Sequence, residues 1–412
     1  MKSIITTGIV LFIYSACFSQ QEPTGWRGPA RDGVFPEKNL LTSWPAGGPE
    51  LLWRFEGLGY GYASAAVTSD RIYTVGTIDS TSSVFCFDLT GKLIWKKTLG
   101  REWTKNFPGS RSTPTLFDGS GYYVNGYGVV FCFDAENGDI RWKRDLLNEC
   151  EGPMRSWGFV DNLIIDGDKL YCTPSGTKKN VVALNRKNGE IIWESPGNGE
   201  GSSYCTPVLI EKGGKKLFIN QPGKAYIAIN PDDGKLKWKY EKQEEHPSCH
   251  RTPIYRDGYL LGLDDENTGS VMLKIAPDGS GAEVAWRNSE LFTVQGEAVV
   301  IGNRIYSPGN RSKLYCADWK TGQTLFSQVF GNGIFVLIAA ENMLYSYDVN
   351  GNFKLLKPME DRVEIVGSFA VPGGSNMHFS HPVIKDGRLY IRHDNSLLVY
   401  NISKTDIKIA GK

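Results

Sequence analysis

The stretch FCFDAENGDIRW at residues 131–142 restates FCFDLTGKLIW at 85–95, and the chain goes on restating it. The same order of strand, acid or amide, turn, glycine and aromatic returns as VALNRKNGEIIW (182–193), IAINPDDGKLKW (227–238) and YCADWKTGQTLF (315–326). A stretched copy, LKIAPDGSGAEVAW, ends at Trp286, and an orphan ending, PELLWRF, surrounds Trp53. The closing aromatics at 53, 95, 142, 193, 238, 286 and 326 lie 40 to 51 residues apart. Self-similarity at that period, with strand-like contents, is the mark of propeller blades.

Within one copy, VFCFD alternates its side chains between two faces, as a half-buried strand requires. Asp88, Asp134, Asn185, Asn230 and Asp318 end this strand, where a short polar side chain bonds the backbone of the following turn. The glycine three or four residues later suits a turn with positive φ. The tryptophan on the returning strand is expected to wedge between neighbouring sheets, burying on the order of 200 Å². Cys86, Cys132 and Cys316 fill the small slot between the aromatics, where a compact buried residue is wanted.

Two earlier strands precede each hairpin, YASAAVT and RIYTVGT in the first copy, which makes four strands per blade. Pro114, Pro207, Pro253 and Pro382 fall in the first strand of their units, and an innermost strand lining a channel is an edge that tolerates proline. Six complete blades end at the successive aromatics from 95 to 326, and a weaker seventh follows from Gly333. An eighth has three strands of its own, HFSHPVI, RLYIRH and SLLVYNI, and the orphan LLWRF supplies the fourth. Closing the ring in this way leaves no long free edge. The expected fold is all-β, one eight-bladed β-propeller over residues 50–404. A signal peptide (1–20) and an irregular segment (21–49) precede it, and a tail (405–412) follows.

Lysine and arginine number 46 against 45 aspartates and glutamates, with no basic run of five, which argues against nucleic acid and against an anionic membrane surface. MKSIITTGIVLFIYSACFSQ has the charged start, short apolar run and small residues of an export signal. Cleavage after Ser19 would release a periplasmic protein. The YSAC stretch also resembles a lipobox, in which case a lipid on Cys17 tethers the chain to the outer membrane. The eight cysteines include no CxxC and no adjacent pair, which excludes metal knuckles and thioredoxin-like chemistry. Cys150, Cys172, Cys205 and Cys249 either form one or two disulfides or stay as buried thiols.

The repeat, typified by VALNRKNGEIIW, resembles that of the pyrroloquinoline-quinone-like (PQQ-like) β-propeller family. WRGPARDGVFPE together with WPAGGPELLWRFEGLG is similar to the N-terminal segment of exported polyvinyl-alcohol-dehydrogenase-like members. The length is similar to that of the outer-membrane assembly factor BamB-like branch, whose members bind partners and catalyse nothing. The likeness implies an eight-bladed ring and divides on chemistry. Quinone-dependent dehydrogenases of the family are longer and carry a calcium site, a catalytic aspartate and often a vicinal disulfide; this chain has no adjacent cysteines and no long insertion, and no Glu/Asn/Asp calcium constellation maps onto it residue by residue. The expected function is an exported, non-catalytic binding scaffold with no cofactor and no metal. The alternatives are a small PQQ-dependent dehydrogenase acting on alcohols with calcium, and a carbohydrate-binding propeller.

Propellers work at the channel mouth, in the loops that enter each innermost strand. Those loops hold Arg111, Arg155, Trp157, Tyr204, His250, Arg251, Glu297 and His381, the expected ligand-binding set. Arg111, Tyr204, His250 and Phe379 share one slot, three residues before the loop's proline. Guanidinium and ring groups in such a slot suit an anionic or sugar-like ligand, or a protein partner. Glu297 is the mouth carboxylate. His246, His250, His378 and His381 fall near the mouths of the fifth and eighth blades without metal-ligand spacing, and no residue is assigned a catalytic role.

Overall fold

In the computed structural model the repeated stretch becomes the outer hairpin of a four-stranded antiparallel sheet. The structure describes residues 22–201, 203–242, 251–264, 268–293, 296–309, 313–329, 333–375 and 377–405. The signal-like segment, Cys17, His246, Cys249 and His250 lie outside the described residues. Eight such sheets follow one another, and one four-residue helical turn, Leu146–Glu149, is the sole α-helix among the described residues. The fold is an eight-bladed propeller. Blade 8 takes its outer strand from Glu50–Glu56, which pairs antiparallel with Ser396–Asn401, so the N-terminal strand closes the ring as the repeat predicts.

The cross-strand register explains the small slot. Cys86 stands opposite Trp95, Cys132 opposite Trp142, Ala183 opposite Trp193 and Cys316 opposite Phe326. A bulky residue there would compete with the aromatic for the same face of the sheet. In all eight outer pairs the register also slips by one residue at this point, and such a bulge sharpens the local twist.

Five of the junctions between blades turn on the tryptophan. The Trp193 ring lies against Gly234 of blade 4 and its Nε1 donates to the Pro231 carbonyl at 2.9 Å. A Cβ on Gly234 would stand 2.6 Å from that ring, and the residue's φ is +73°, so glycine is required on two counts. The same contact joins Trp53 to Gly91, Trp95 to Gly138, Trp142 to Gly189 and Trp286 to Gly322. The acid or amide before each turn accepts backbone N–H groups as expected, Asp88 from Thr90 and Lys92, Asn185 from Lys187. Blade 7 has glycine, Gly367, where its neighbours have an aromatic, and Trp44 of the N-terminal segment covers it among Tyr345, Phe353 and Phe369. That substitution by a residue over 300 positions away is invisible to a repeat count.

Two expectations change. Pro114, Pro207, Pro253 and Pro382 stand one residue before the innermost strands, which begin at Thr115, Val208, Ile254 and Val383. A residue without an N–H ends the loop instead of entering the ladder. Cys150 and Cys172 are free thiols buried in one apolar cluster, so the choice left open for them falls on thiols.

Residues 24–35 cross the channel as a strap. Thr24 bridges Leu116 of blade 2, and Arg31 donates to the carbonyls of Asn162 and Leu163 at blade 3. Arg27 donates to the Ala298 carbonyl at blade 6, and Val34–Phe35 runs parallel to the inner strand of blade 7. One short segment thus ties together opposite sides of the ring.

Replacing Trp193 by alanine removes a nearly buried indole and its hydrogen bond, and is expected to cost about 3–5 kcal/mol in urea unfolding. Deleting residues 22–56 removes both strap and closing strand, and should give an open sheet that self-associates in size-exclusion chromatography.

Candidate functional site

The loops that enter the innermost strands converge on a cavity of about 260 Å³ at one end of the channel. Tyr62 comes from blade 1, Phe107 and Arg111 from blade 2, Trp157 and Asn162 from blade 3, and Tyr204 and Thr206 from blade 4. Gly296 and Glu297 come from blade 6, Val336 from blade 7, and Phe379 and His381 from blade 8. Trp26 of the strap lies at the inner end, edge-on to His381 with ring centroids 5.3 Å apart.

Aromatic rings dominate the wall and hold one another in place. Trp157 and Tyr204 lie 5.5 Å apart, and the Tyr204 hydroxyl accepts the Trp157 backbone N–H. Phe379 lies 5.4 Å from Tyr62 and 5.8 Å from Phe107. Arg111 is the sole cationic side chain of the lining among the described residues. Its guanidinium clips the loop, donating to the carbonyls of Asn106, Gly109 and Phe107. Burial lowers its pKa, and the nearby charge of Glu102 works the other way. Glu102 is itself engaged by Tyr123, Ser110 and the N–H groups of Trp103 and Gly126.

Glu297 is buried and its carboxylate accepts from the Thr252 N–H at 2.8 Å and hydroxyl at 3.3 Å. Burial raises its pKa, opposed by the guanidinium of Arg27. His381 is held well below the ordinary histidine range by burial and then by Arg27, so its ring is neutral. Its Nε2 has no hydrogen-bond partner among the described residues.

Five of the eight expected site residues, Arg111, Trp157, Tyr204, Glu297 and His381, line this one cavity. The slot three residues before proline delivers Arg111, Tyr204 and Phe379 to it. Arg155 and Arg251 stand behind the wall. Arg155 packs its guanidinium 4.8 Å from the Phe159 ring and 5.4 Å from Tyr204, and Arg251 donates twice to the Thr293 carbonyl. Sequence reasoning missed Trp26, Tyr62 and Phe107. Trp26 opens the WRGPARDG motif, whose spacing gives no hint that it doubles back into the channel.

His378 turns away from the mouth. Its ring stacks on His393 with centroids 3.8 Å apart, beside Tyr347, between blades 7 and 8. His393 is fixed by the Tyr347 hydroxyl and the Gly373 carbonyl. No group of three histidines, cysteines or acids gathers in metal-binding geometry among the described residues.

A family model described as outer membrane protein assembly factor BamB matches residues 80–328. Over 256 residues the chain is 26% identical to the outer membrane protein assembly factor BamB of Moranella endobia, covering 58% of this chain and 63% of that protein. Over 182 residues it is 26% identical to the quinoprotein alcohol dehydrogenase PedH of Pseudomonas putida, covering 41% of this chain and 28% of that enzyme. The chain thus spans less than two thirds of the length of these relatives. Among solved structures, BamB from Moraxella catarrhalis superposes with a TM-score of 0.62 at 13% identity, over 86% of this chain and 99% of that one. The quinohemoprotein alcohol dehydrogenase from Comamonas testosteroni gives 0.62 at 12% identity, over 93% and 81%. At such identities the structural likeness speaks for the fold.

The quinoprotein relatives raise the question of PQQ with calcium. Calcium takes six to eight oxygen ligands, several of them carboxylate. Among the described residues Glu297 is the one carboxylate of the lining, and it is engaged by Thr252. The side-chain amide of Asn162 is engaged at both ends, by the Thr113 N–H and the Thr206 hydroxyl. These donors do not fit a quinone–calcium pair.

Burial and the His393 ring hold His378 at about 4 in the fold, against 6.5 in the unfolded chain. The unfolded state therefore binds the extra proton first. Stability should be full above about pH 6.5, fall as pH drops toward about 4, and then level off, as measured by melting temperature. The His378→Gln variant should show a shallower fall.

Proposed function

Because the chain belongs to the outer membrane protein assembly factor BamB family, whose model covers more than half of it, we propose that it is an exported, non-catalytic propeller that works by binding at its channel mouth. The observation that carries this reading is the mouth cavity, walled by the rings of Tyr62, Phe107, Trp157, Tyr204 and Phe379 with Arg111, and closed at its inner end by Trp26 of the strap. Rings of this kind supply contact area with little loss of side-chain entropy, and a cation at the edge orients the occupant. The partner is a protein segment or a small or glycan ligand presented to that mouth, on the periplasmic side of the outer membrane. Among the described residues neither a nucleophile–base pair nor a pair of acids flanks an open space in the cavity. His381 is neutral, and the carboxylate of Glu297 already has its donors.

A small quinone-dependent dehydrogenase is the second reading, favoured by the similarity to PedH. Reconstitution decides between them. Purified protein incubated with PQQ and calcium should neither quench its tryptophan fluorescence at micromolar quinone nor reduce a dye at the expense of ethanol. Sustained turnover would overturn the non-catalytic assignment.

A further inference from the structure

Three features of the mouth cavity constrain the chemistry of what fills it. The first is stacking surface on opposite sides: the Trp157–Tyr204 pair from blades 3 and 4, and the Phe379 cluster from blade 8. The second is an uncompensated positive edge. Arg111 makes no ion pair, and its three carbonyl contacts leave Nε and one hydrogen of Nη1 without a protein acceptor among the described residues. The one acid of the lining among the described residues, Glu297, is hydrogen-bonded by Thr252 and faces the buried guanidinium groups of Arg27 and Arg251. The third is polar atoms set among the rings. His381 Nε2 is buried and lacks a hydrogen-bond partner among the described residues, and the Tyr62 hydroxyl belongs to the same lining.

A flat aromatic acid would satisfy the first two features and leave the third unpaired. A neutral sugar would satisfy the first and third and leave Arg111 without its anion. A pyranose ring has an apolar C–H face for the aromatics and hydroxyls for polar atoms, and a uronic acid adds a carboxylate at the ring's edge. The guanidinium fork matches a carboxylate in plane and charge. Trp26 blocks the inner end, so the ring must enter and leave by the mouth.

We propose that the mouth cavity binds a hexuronate, its ring against Trp157 and Phe379 and its carboxylate at Arg111. This rests on the reading of the mouth as the working surface and names the ligand class for it.

Calorimetric titration of the full-length protein with D-galacturonate, its methyl ester, D-galactose and 4-hydroxybenzoate tests the assignment. Galacturonate should bind at least about tenfold more tightly than the ester or galactose, the usual weight of one charge-assisted contact. Trp157→Ala should abolish binding of the acid and the ester alike. Arg111→Gln should erase the preference for the acid while leaving the weak binding of the ester in place. Because the Arg111 side chain also clips its loop, the comparison of acid with ester on the unaltered protein stands independently of that variant. Equal binding of acid and ester overturns the carboxylate assignment. Tighter binding of 4-hydroxybenzoate overturns the sugar assignment, and no heat with any of the four at millimolar concentration overturns both. None of these outcomes bears on quinone reconstitution, so failure here is distinguishable from failure of the non-catalytic reading.

Discussion

The contact on which the ring depends is the indole of one blade lying on the turn glycine of the next. It does two things at once. The ring face covers a backbone that has no Cβ to obstruct it, and the indole N–H satisfies a turn carbonyl, as at Trp142 to Arg186 (2.9 Å) and Trp286 to Trp319 (3.1 Å). The turn is shaped for that role by its own acid or amide, so at these junctions the repeat has a partner inside its blade and another across the junction. Trp53 carries the contact from blade 8 to blade 1 and bonds the Leu89 carbonyl at 3.3 Å. The closing strand therefore supplies both the missing ladder and the missing lock. Arg392 reinforces the seam, donating from blade 8 to the carbonyls of Val75 and Gly59.

Where the repeat weakens, the chain compensates from outside the blade. Blade 7 has no indole to offer, and Trp44 covers Gly367 in its place while Leu40 bridges Ser403. The same N-terminal segment has already crossed the channel between blades 2, 3, 6 and 7. It is a brace for a ring whose weakest repeat lies opposite its strongest ones. By filling the inner end it also turns an open channel into a cavity with one mouth, which is what makes the loop residues on that face a site.

Legibility in the sequence follows from how local each feature is. The hairpin is written in a dozen consecutive residues, and its period is a matter of counting, so blades and ring closure could be read directly. The cavity is assembled from loops of unequal length on seven blades, and only a positional rule tied to a fixed landmark survives that irregularity. Arg111, Tyr204 and Phe379 obey such a rule, three residues before a proline that marks the strand's start, and all reach the cavity. Arg155 has no such landmark, and Arg251 follows the slot by one residue. Both are buried behind the wall. Trp26 and Trp44 act on blades distant in sequence, and no local pattern encodes that.

The arginines of the channel divide by whose carbonyls they hold. Arg27, Arg31, Arg251 and Arg392 each donate to a segment far along the chain, and such contacts fasten blade to blade or strap to blade. Burial holds Arg31 and Arg392 at about 10, low for guanidinium yet still charged at neutral pH, because peptide oxygens replace the lost water. Arg111 differs in that all three of its acceptors belong to its own loop, within five residues. A guanidinium used in this way stiffens one loop without spanning the channel. Among the described residues Arg111 is also the arginine that lines the mouth cavity, whereas the others stand behind the wall. The division separates the arginines that fasten the ring from the one that, among the described residues, lines the mouth.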